Sequence, residues 1–311
     1  MKRSEFFLIG ICLLLVVTAF SGFVTSEERE LSSSHTGWNG SSQFYDILEE
    51  QGASPVQSFA ECSGIQNATL IFVEPEGNLT DTDNTDLQTF LSNNGRIIFF
   101  ARTSQANSFL TLLGSNISVL EGNISGVDVE YNSPKMLIIS PHKEGFLPDE
   151  IQKIVTNHPS YLDGGIPVLT TTVFSWNDED GDGSPGSAEP FQRFSMMAYE
   201  NVSGGQIYVF SDTGMLLNAM HQGIPLQDNP HLLTWCGRNT TLFYDTHYSG
   251  PFQTGGFAGL IALIKNRTII KTVAVFLIIF GLCATCILAD RKNRQKIVRS
   301  DQKPPQEENK P

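Results

Sequence analysis

Cysteine is scarce in this chain. There are five in 311 residues, and Cys12, Cys283 and Cys286 lie inside apolar runs, where a thiol behaves as a small hydrophobe. Only Cys62 and Cys236 remain, which excludes a dense disulfide framework and leaves one pairing whose geometry the sequence does not fix. Basic residues are also few, 20 Lys and Arg against 33 Asp and Glu, and a net charge of −13 argues against nucleic acid as a partner. Nucleotide and acyl-transfer motifs are missing as well. Gly204-Gly205 and Gly255-Gly256 lack the GxGxxG or Lys-Ser/Thr context of a phosphate cradle. Amidotransferase-type chemistry needs a nucleophile on a sharp strand-to-helix turn, yet "RTSQAN" after "RIIFFA" offers only Ser104, which reads as a helix N-cap. Cys62 sits on no such elbow. With no recognisable Cys–His triad, the chain reads as non-catalytic. No repeat of fixed period appears.

Long apolar runs are present at both ends. "MKRSEFFLIGICLLLVVTAFSGFV" places Lys2 and Arg3 before an apolar stretch, so residues 1–24 are either a membrane anchor or a signal sequence. Residues 272–289, "TVAVFLIIFGLCATCILA", read as a transmembrane helix, and the basic "DRKNRQKIVR" after them predicts a cytoplasmic, disordered tail over 290–311. Those basic residues either hold the helix in place or touch anionic headgroups. The main domain, residues 33–250, and a membrane-proximal segment, 251–271, then lie outside the cytoplasm at the cell membrane. Asn-x-Ser/Thr sequons at Asn39, Asn67, Asn78, Asn116, Asn123, Asn201, Asn239 and Asn266 fall in this exterior part and predict a glycosylated surface protein. Residues 25–289 carry a net −17, since the segments before and after them carry +1 and +3. An acidic, sequon-rich exterior of this kind suits an archaeal cell envelope.

One acidic stretch has metal-loop spacing. In "DEDGDGSPGSAE", counted from Asp178, carboxylates fall at positions one, three and five (Asp178, Asp180, Asp182), Gly183 stands at six and Glu189 at twelve. Ca²⁺ takes six to eight oxygens, so the reading assigns those three carboxylates, the Ser184 carbonyl and a two-oxygen Glu189 to one ion. The flanks "GIPVLTTTVFSW" and "FQRFSMMAY" read as strands rather than EF-hand helices. The alternative is a solvated acidic turn, because Asp and Gly also build turns.

Elsewhere apolar runs alternate with helical patterns. "GSSQFYDILEEQG", "DNTDLQTFLSNNG" and "SQANSFLTLLG" read as helices, and "TLIFVEP", "RIIFFA" and "GGQIYVFSD" as buried strands. Strand–helix alternation predicts an α/β fold with a doubly wound, mostly parallel sheet between N- and C-terminal transmembrane helices. The blocks "HTGWNGSSQFYDIL", "LIFVEPEGNLTDTDNTDLQTFLSNNGRIIFFA", "GGQIYVFSDTGMLLNAMHQGIPLQDNPHLL" and "LFYDTHYSG" together resemble a membrane-anchored domain-of-unknown-function family. That resemblance implies a class I glutamine-amidotransferase-like, flavodoxin-like ectodomain over roughly residues 33–250. It supplies a fold and a topology, not a reaction.

Open α/β sheets bind ligands outside the carboxyl ends of their strands; Asp212, Asn218, Asp228, Asn229, Asp245 and His247 fall near such ends, and His35 and Trp38, in the loop before the first helix, could converge on the same edge. Trp38 is placed to stack on a sugar. Two functions follow. The first is a non-catalytic binding or scaffold module of the envelope, with a calcium-stabilised loop, that takes a glycan, another envelope protein or a membrane transport assembly as partner. The second is a surface hydrolase using the strand-end Asp and His residues.

Overall fold

The computed structural model describes residues 30–252 apart from 34, 128–130, 132, 144 and 222–226. In chain order it contains α1 (Ser42–Glu50), β1 (Ser54–Val56), β2 (Ala68–Val73), α2 (Asp81–Ser92), β3 (Arg96–Phe100), α3 (Ala106–Leu113), β4 (Ser118–Leu120) and β5 (Ile124–Gly126). There follow β6 (Ile138–Pro141), β7 (Ile154–Val155), β8 (Tyr161–Asp163), β9 (Ile166–Thr170), β10 (Ser175–Asn177), β11 (Ser195–Val202), β12 (Gly205–Phe210), the single turn α4 (Asn218–His221), α5 (Asn229–Gly237) and β13 (Thr241–Asp245). All belong to one of the chain's two units, Met1–Gly255. The flanking membrane helices expected from the sequence find no support here. No helix among the described residues is long and apolar enough to cross a membrane, and the runs at 6–24 and 272–289 lie outside those residues, as do Asn266 and the tail.

The main sheet has eleven strands, ordered β1-β13-β2-β3-β12-β11-β9-β6-β7, with β4 and β8 joined to it through β11. Strands β2, β3 and β12 lie side by side and parallel, with Leu70 opposite Ile97 and Ile97 opposite Ile207. Beyond β12 every pairing is antiparallel. The sheet is therefore mixed, which corrects the expectation of a mostly parallel, doubly wound one. Turn chemistry explains the difference. Ser203 (φ 53°) and Gly204 (φ 91°) form a two-residue reversal of the kind that joins antiparallel strands, so β11 folds straight back on β12 with no crossover helix. Gly164 and Gly165, both at positive φ, make the two-residue connection from β8 to β9.

The uninterrupted apolar character of the central strands follows from burial on both faces. In β2, Leu70 and Phe72 enter one core while Ile71 and Val73 enter the other, and β3 repeats this with Ile97 and Phe99 against Ile98 and Phe100. Helices α2 and α3 cover the first face with Leu87, Phe90, Phe109 and Leu113; α1 and α5 cover the second with Phe44, Leu48, Leu232 and Leu233. Helix α2 begins where Thr80 Oγ1 accepts the Asp83 amide at 3.2 Å, with Asp81 and Asp83 favoured by the helix dipole. Ser104 does not cap α3: the preceding residue is Gln105, and the Ser104 hydroxyl donates to Glu121 Oε1 at 2.6 Å.

Cys62 and Cys236 are free thiols in opposite cores, on the two sides of the sheet, so the pairing left open by the sequence is not made. Burial pushes both thiols up to about 12, which leaves them unreactive. Of the described sequon residues, Asn67, Asn78, Asn116, Asn201 and Asn239 are exposed, and Asn39 and Asn123 are half-buried. The two ends of the described chain meet: the Ser33 amide and hydroxyl both donate to the Pro251 carbonyl at 3.2 Å.

Candidate metal site

The acidic loop hangs from a closed neck. Strand β10 pairs with β5, and its first residue, Ser175, also bridges Gln192, whose amide donates to the Ser175 carbonyl at 2.8 Å. Trp176, 2% exposed, meets the Phe191 ring edge-on at 5.8 Å, and the Asp178 amide donates to the Asn123 carbonyl at 2.9 Å. Both strand flanks of the loop are therefore present as the sequence indicated.

Inside the neck the backbone turns at Gly181 and Gly183, both at φ 75°, where a β-carbon is disfavoured. The aspartates turn inward on their own neighbours. Asp180 Oδ1 accepts the Asp182 amide at 3.1 Å, Asp182 Oδ1 the Ser184 amide at 2.7 Å, and Asp178 Oδ1 the Gly183 amide at 3.4 Å. One oxygen each of Asp178, Asp180 and Asp182 then falls within 4.8 Å of the others. Asp180 and Asp182 are exposed, but Asp178 is 1% exposed and its Oδ2 is buried with no hydrogen-bond partner. A buried carboxylate oxygen without a donor costs free energy that a cation recovers.

Glu189 takes another role. Its Oε1 accepts the Glu179 amide at 2.7 Å and its Oε2 the Gly186 amide at 2.8 Å, so both oxygens hold the loop rather than join the aspartates. The Gly186 amide, ahead of those of Glu179 and Asp180, holds this carboxyl below its ordinary range. Ser184 contributes its amide to Asp182, as above. The donor set suits a hard, oxygen-seeking cation such as Ca²⁺, with Asp178, Asp180 and Asp182 as its side-chain ligands.

The strand-end residues are distributed differently. Asn218, fully buried, gathers the first loop: its Nδ2 donates to the His35 and Gly37 carbonyls at 2.9 and 2.8 Å, and its Oδ1 accepts the Gln43 amide at 2.9 Å. Trp38 in that loop is 72% exposed. Asp212 Oδ2 accepts the Asn157 amide and Oδ1 the Gly214 amide, both at 2.7 Å. Asp228 Oδ2 holds the amides of Gln152 and Lys153, and Asn229 exchanges two hydrogen bonds with the Val155 backbone, as a strand would. Asp245 accepts the amides of His247, Tyr248 and Ser249. His35 and Asn218 come together through that carbonyl, and Asp245 and His247 through a turn. The set makes no single constellation, because each buried side chain is committed to backbone.

Glu74 was not singled out in the sequence. At φ 42°, just past β2, its carboxylate accepts the Arg102 amide (2.8 Å), the Thr103 hydroxyl (2.9 Å) and the Thr213 hydroxyl (3.0 Å), tying together the carboxyl ends of three parallel strands. The only available signal was an acid placed directly between a buried strand and Pro75.

A family model described as "Domain of unknown function (DUF4350)" matches residues 33–236. No curated protein matches the chain. Among solved structures, the "mmIFT52 N-terminal domain" is 15% identical with a TM-score of 0.40, over 58% of this chain and 81% of that one. A beta-galactosidase from Rahnella sp. R3 is 14% identical with a TM-score of 0.34, over 59% of this chain and 26% of that one. Likenesses this distant bear on neither ligand nor reaction.

Proposed function

The chain belongs to the DUF4350 family, and we propose that this member is a non-catalytic binding module of the cell envelope whose acidic loop is ordered by Ca²⁺. The observation that carries the reading is the orphan Asp178 Oδ2, buried beside two further carboxylates. Paired charges at about 4 Å repel by roughly 1 kcal/mol in water and roughly 4 kcal/mol near a protein surface, and a divalent ion reverses that sign. The strand-end aspartates and asparagines support a scaffold over a hydrolase, since their oxygens are already occupied by backbone amides.

The test is thermal. Ligand bound only to the folded state adds RT ln(1 + [L]/Kd), so Ca²⁺ at about 100 times Kd adds about 2.7 kcal/mol, or roughly 5–11 °C in a domain of this size. Asp180→Ala removes an exposed ligand without touching either core, and is expected to abolish the shift while leaving the melting point in chelator unchanged. Identical curves in Ca²⁺ and chelator, or an undiminished shift in the variant, would return the loop to an acidic turn.

The same reading places the module outside the cytoplasm, glycosylated at its exposed sequons and held at the membrane by the apolar runs at 6–24 and 272–289, in an archaeal type of envelope. Full-length chain is expected to sediment with membranes and to stay there through an alkaline carbonate wash, leaving only in detergent. Release by carbonate refutes attachment through those runs.

A further inference from the structure

We propose that the loop ion is a recognition element as well as a structural one, and that it binds a carbohydrate through vicinal hydroxyls while the sugar's apolar face rests on Phe191. This rests on the Ca²⁺ reading above and deepens it. Two observations point the same way.

The first is an incomplete cage. Ca²⁺ takes six to eight oxygens, and the loop offers three clustered aspartates, two of them exposed, while Glu189 places both oxygens on the amides of Glu179 and Gly186. Positions on the outer side of the ion are left to water or to the oxygens of a ligand. Two adjacent hydroxyls of a pyranose present paired neutral oxygens, which suits a hard cation and adds no charge to an acidic surface.

The second is an aromatic platform on the adjoining rung. The Ser175–Gln192 bridge sets Phe191 opposite Trp176, and Asp178, whose amide donates to the Asn123 carbonyl at 2.9 Å, follows two residues beyond Trp176 at the end of the β10–β5 pair. Two residues of strand span roughly 7 Å, about the reach of one sugar ring laid from the ion towards Phe191. Phe191 is 49% exposed and Phe174 57%, and their rings meet edge-to-face at 6.3 Å. Large aromatics left this open beside a polar site are the usual counterpart of ligands with one apolar face and one wet edge. Trp176, buried beneath, fixes the ring of Phe191 in place.

The experiment uses the purified full chain, made in a host that adds no glycans and kept in a detergent without a sugar headgroup. Binding to immobilised mannan and galactan is measured in Ca²⁺ and in chelator, with the melting curve recorded on the same samples. Wild type is expected to bind at least one of the two in Ca²⁺ only, with methyl mannoside or methyl galactoside as soluble competitor. Phe191→Ala is expected to keep the Ca²⁺ melting shift and lose at least tenfold in binding, and Asp180→Ala to lose both. A missing melting shift in wild type defeats the metal reading itself. A normal shift with no binding to either polysaccharide, binding unchanged in chelator, or full binding by Phe191→Ala overturns the carbohydrate inference alone.

Discussion

Asn218→Ala lowers the stability of the folded chain by about 3 kcal/mol, a fall of roughly 6–12 °C in melting temperature. The side chain is completely buried and ties α4 to two carbonyls of the loop before α1 and to the Gln43 amide in the first turn of α1, beside the backbone hydrogen bonds from the Asn218 and Ala219 amides to the Gly40 and Trp38 carbonyls. Removing it leaves the His35 and Gly37 carbonyls and the Gln43 amide facing a methyl group, and each orphaned buried group costs about 1–3 kcal/mol before relaxation. Relaxation is limited because Gly40 is pressed close: a β-carbon there would fall 1.8 Å from the His35 carbonyl oxygen. Asn218→Asp, which keeps the Gln43 contact but turns an oxygen towards the two carbonyls, is expected to be at least as damaging at pH 7. Urea titration of the three proteins checks this. Asn218→Ala within 1 kcal/mol of wild type would mean that the loop is held by something other than this side chain.

Asp212 makes the domain lose stability as pH rises from about 4 to about 8. Burial pushes its carboxyl from 3.8 up to about 7, with the amides of Asn157 and Gly214 and the Arg102 charge pulling the other way without prevailing. The folded state therefore holds the proton more tightly than the unfolded one. Its contribution is fully present below pH 3.8 and is lost as pH passes through about 7. About three units at 1.36 kcal/mol each give a change of up to about 4 kcal/mol across that window. Asp245, raised by burial as well, adds in the same direction. Glu121 and Glu189, held low by hydrogen bonds from Ser104 and Gly186, act oppositely, and the exposed Glu121 weighs least. Asp212→Asn does not titrate and sets an amide NH₂ against one backbone N–H. It is expected to be clearly less stable than wild type at pH 5, with the gap narrowing towards pH 8. Urea midpoints for both proteins between pH 4.5 and 8.5 decide it, and parallel profiles sink the assignment.

Much of the central sheet was legible because a buried parallel strand writes an unbroken apolar run. "TLIFVEP", "RIIFFA" and "QIYVFSD" did so, and β2, β3 and β12 are neighbours. In the antiparallel half the loop flanks that contain β9 and most of β11 were legible as strands, but their pairing was not, since it is set by turns rather than by composition. Gly204-Gly205 was visible as a glycine pair, yet that Ser203-Gly204 folded "SMMAYENV" onto the next strand depended on φ signs that a sequence does not print. The acidic loop could be read from spacing for its aspartates, because alternate residues of a tight turn face one centre. Glu189 could not, since carboxylates accept amides as readily as cations, and only the fold decides which lies nearer. Asp212 and Asp245 fell at strand ends, whereas Asn229 opens α5, and the burial of all three committed them to backbone.

The contact between Ser33 and the Pro251 carbonyl gives the domain a mechanical character. The chain enters and leaves at nearly one point, so the eleven strands hang as a pendant rather than standing in series along a line of force. A pull on the two flanking segments loads this clasp first and the edge of the sheet only afterwards. The hydrophobic faces then carry no tension while the clasp holds. For the same reason the domain is portable: spliced into a hairpin turn of an unrelated host, it would span little more than the turn it replaced.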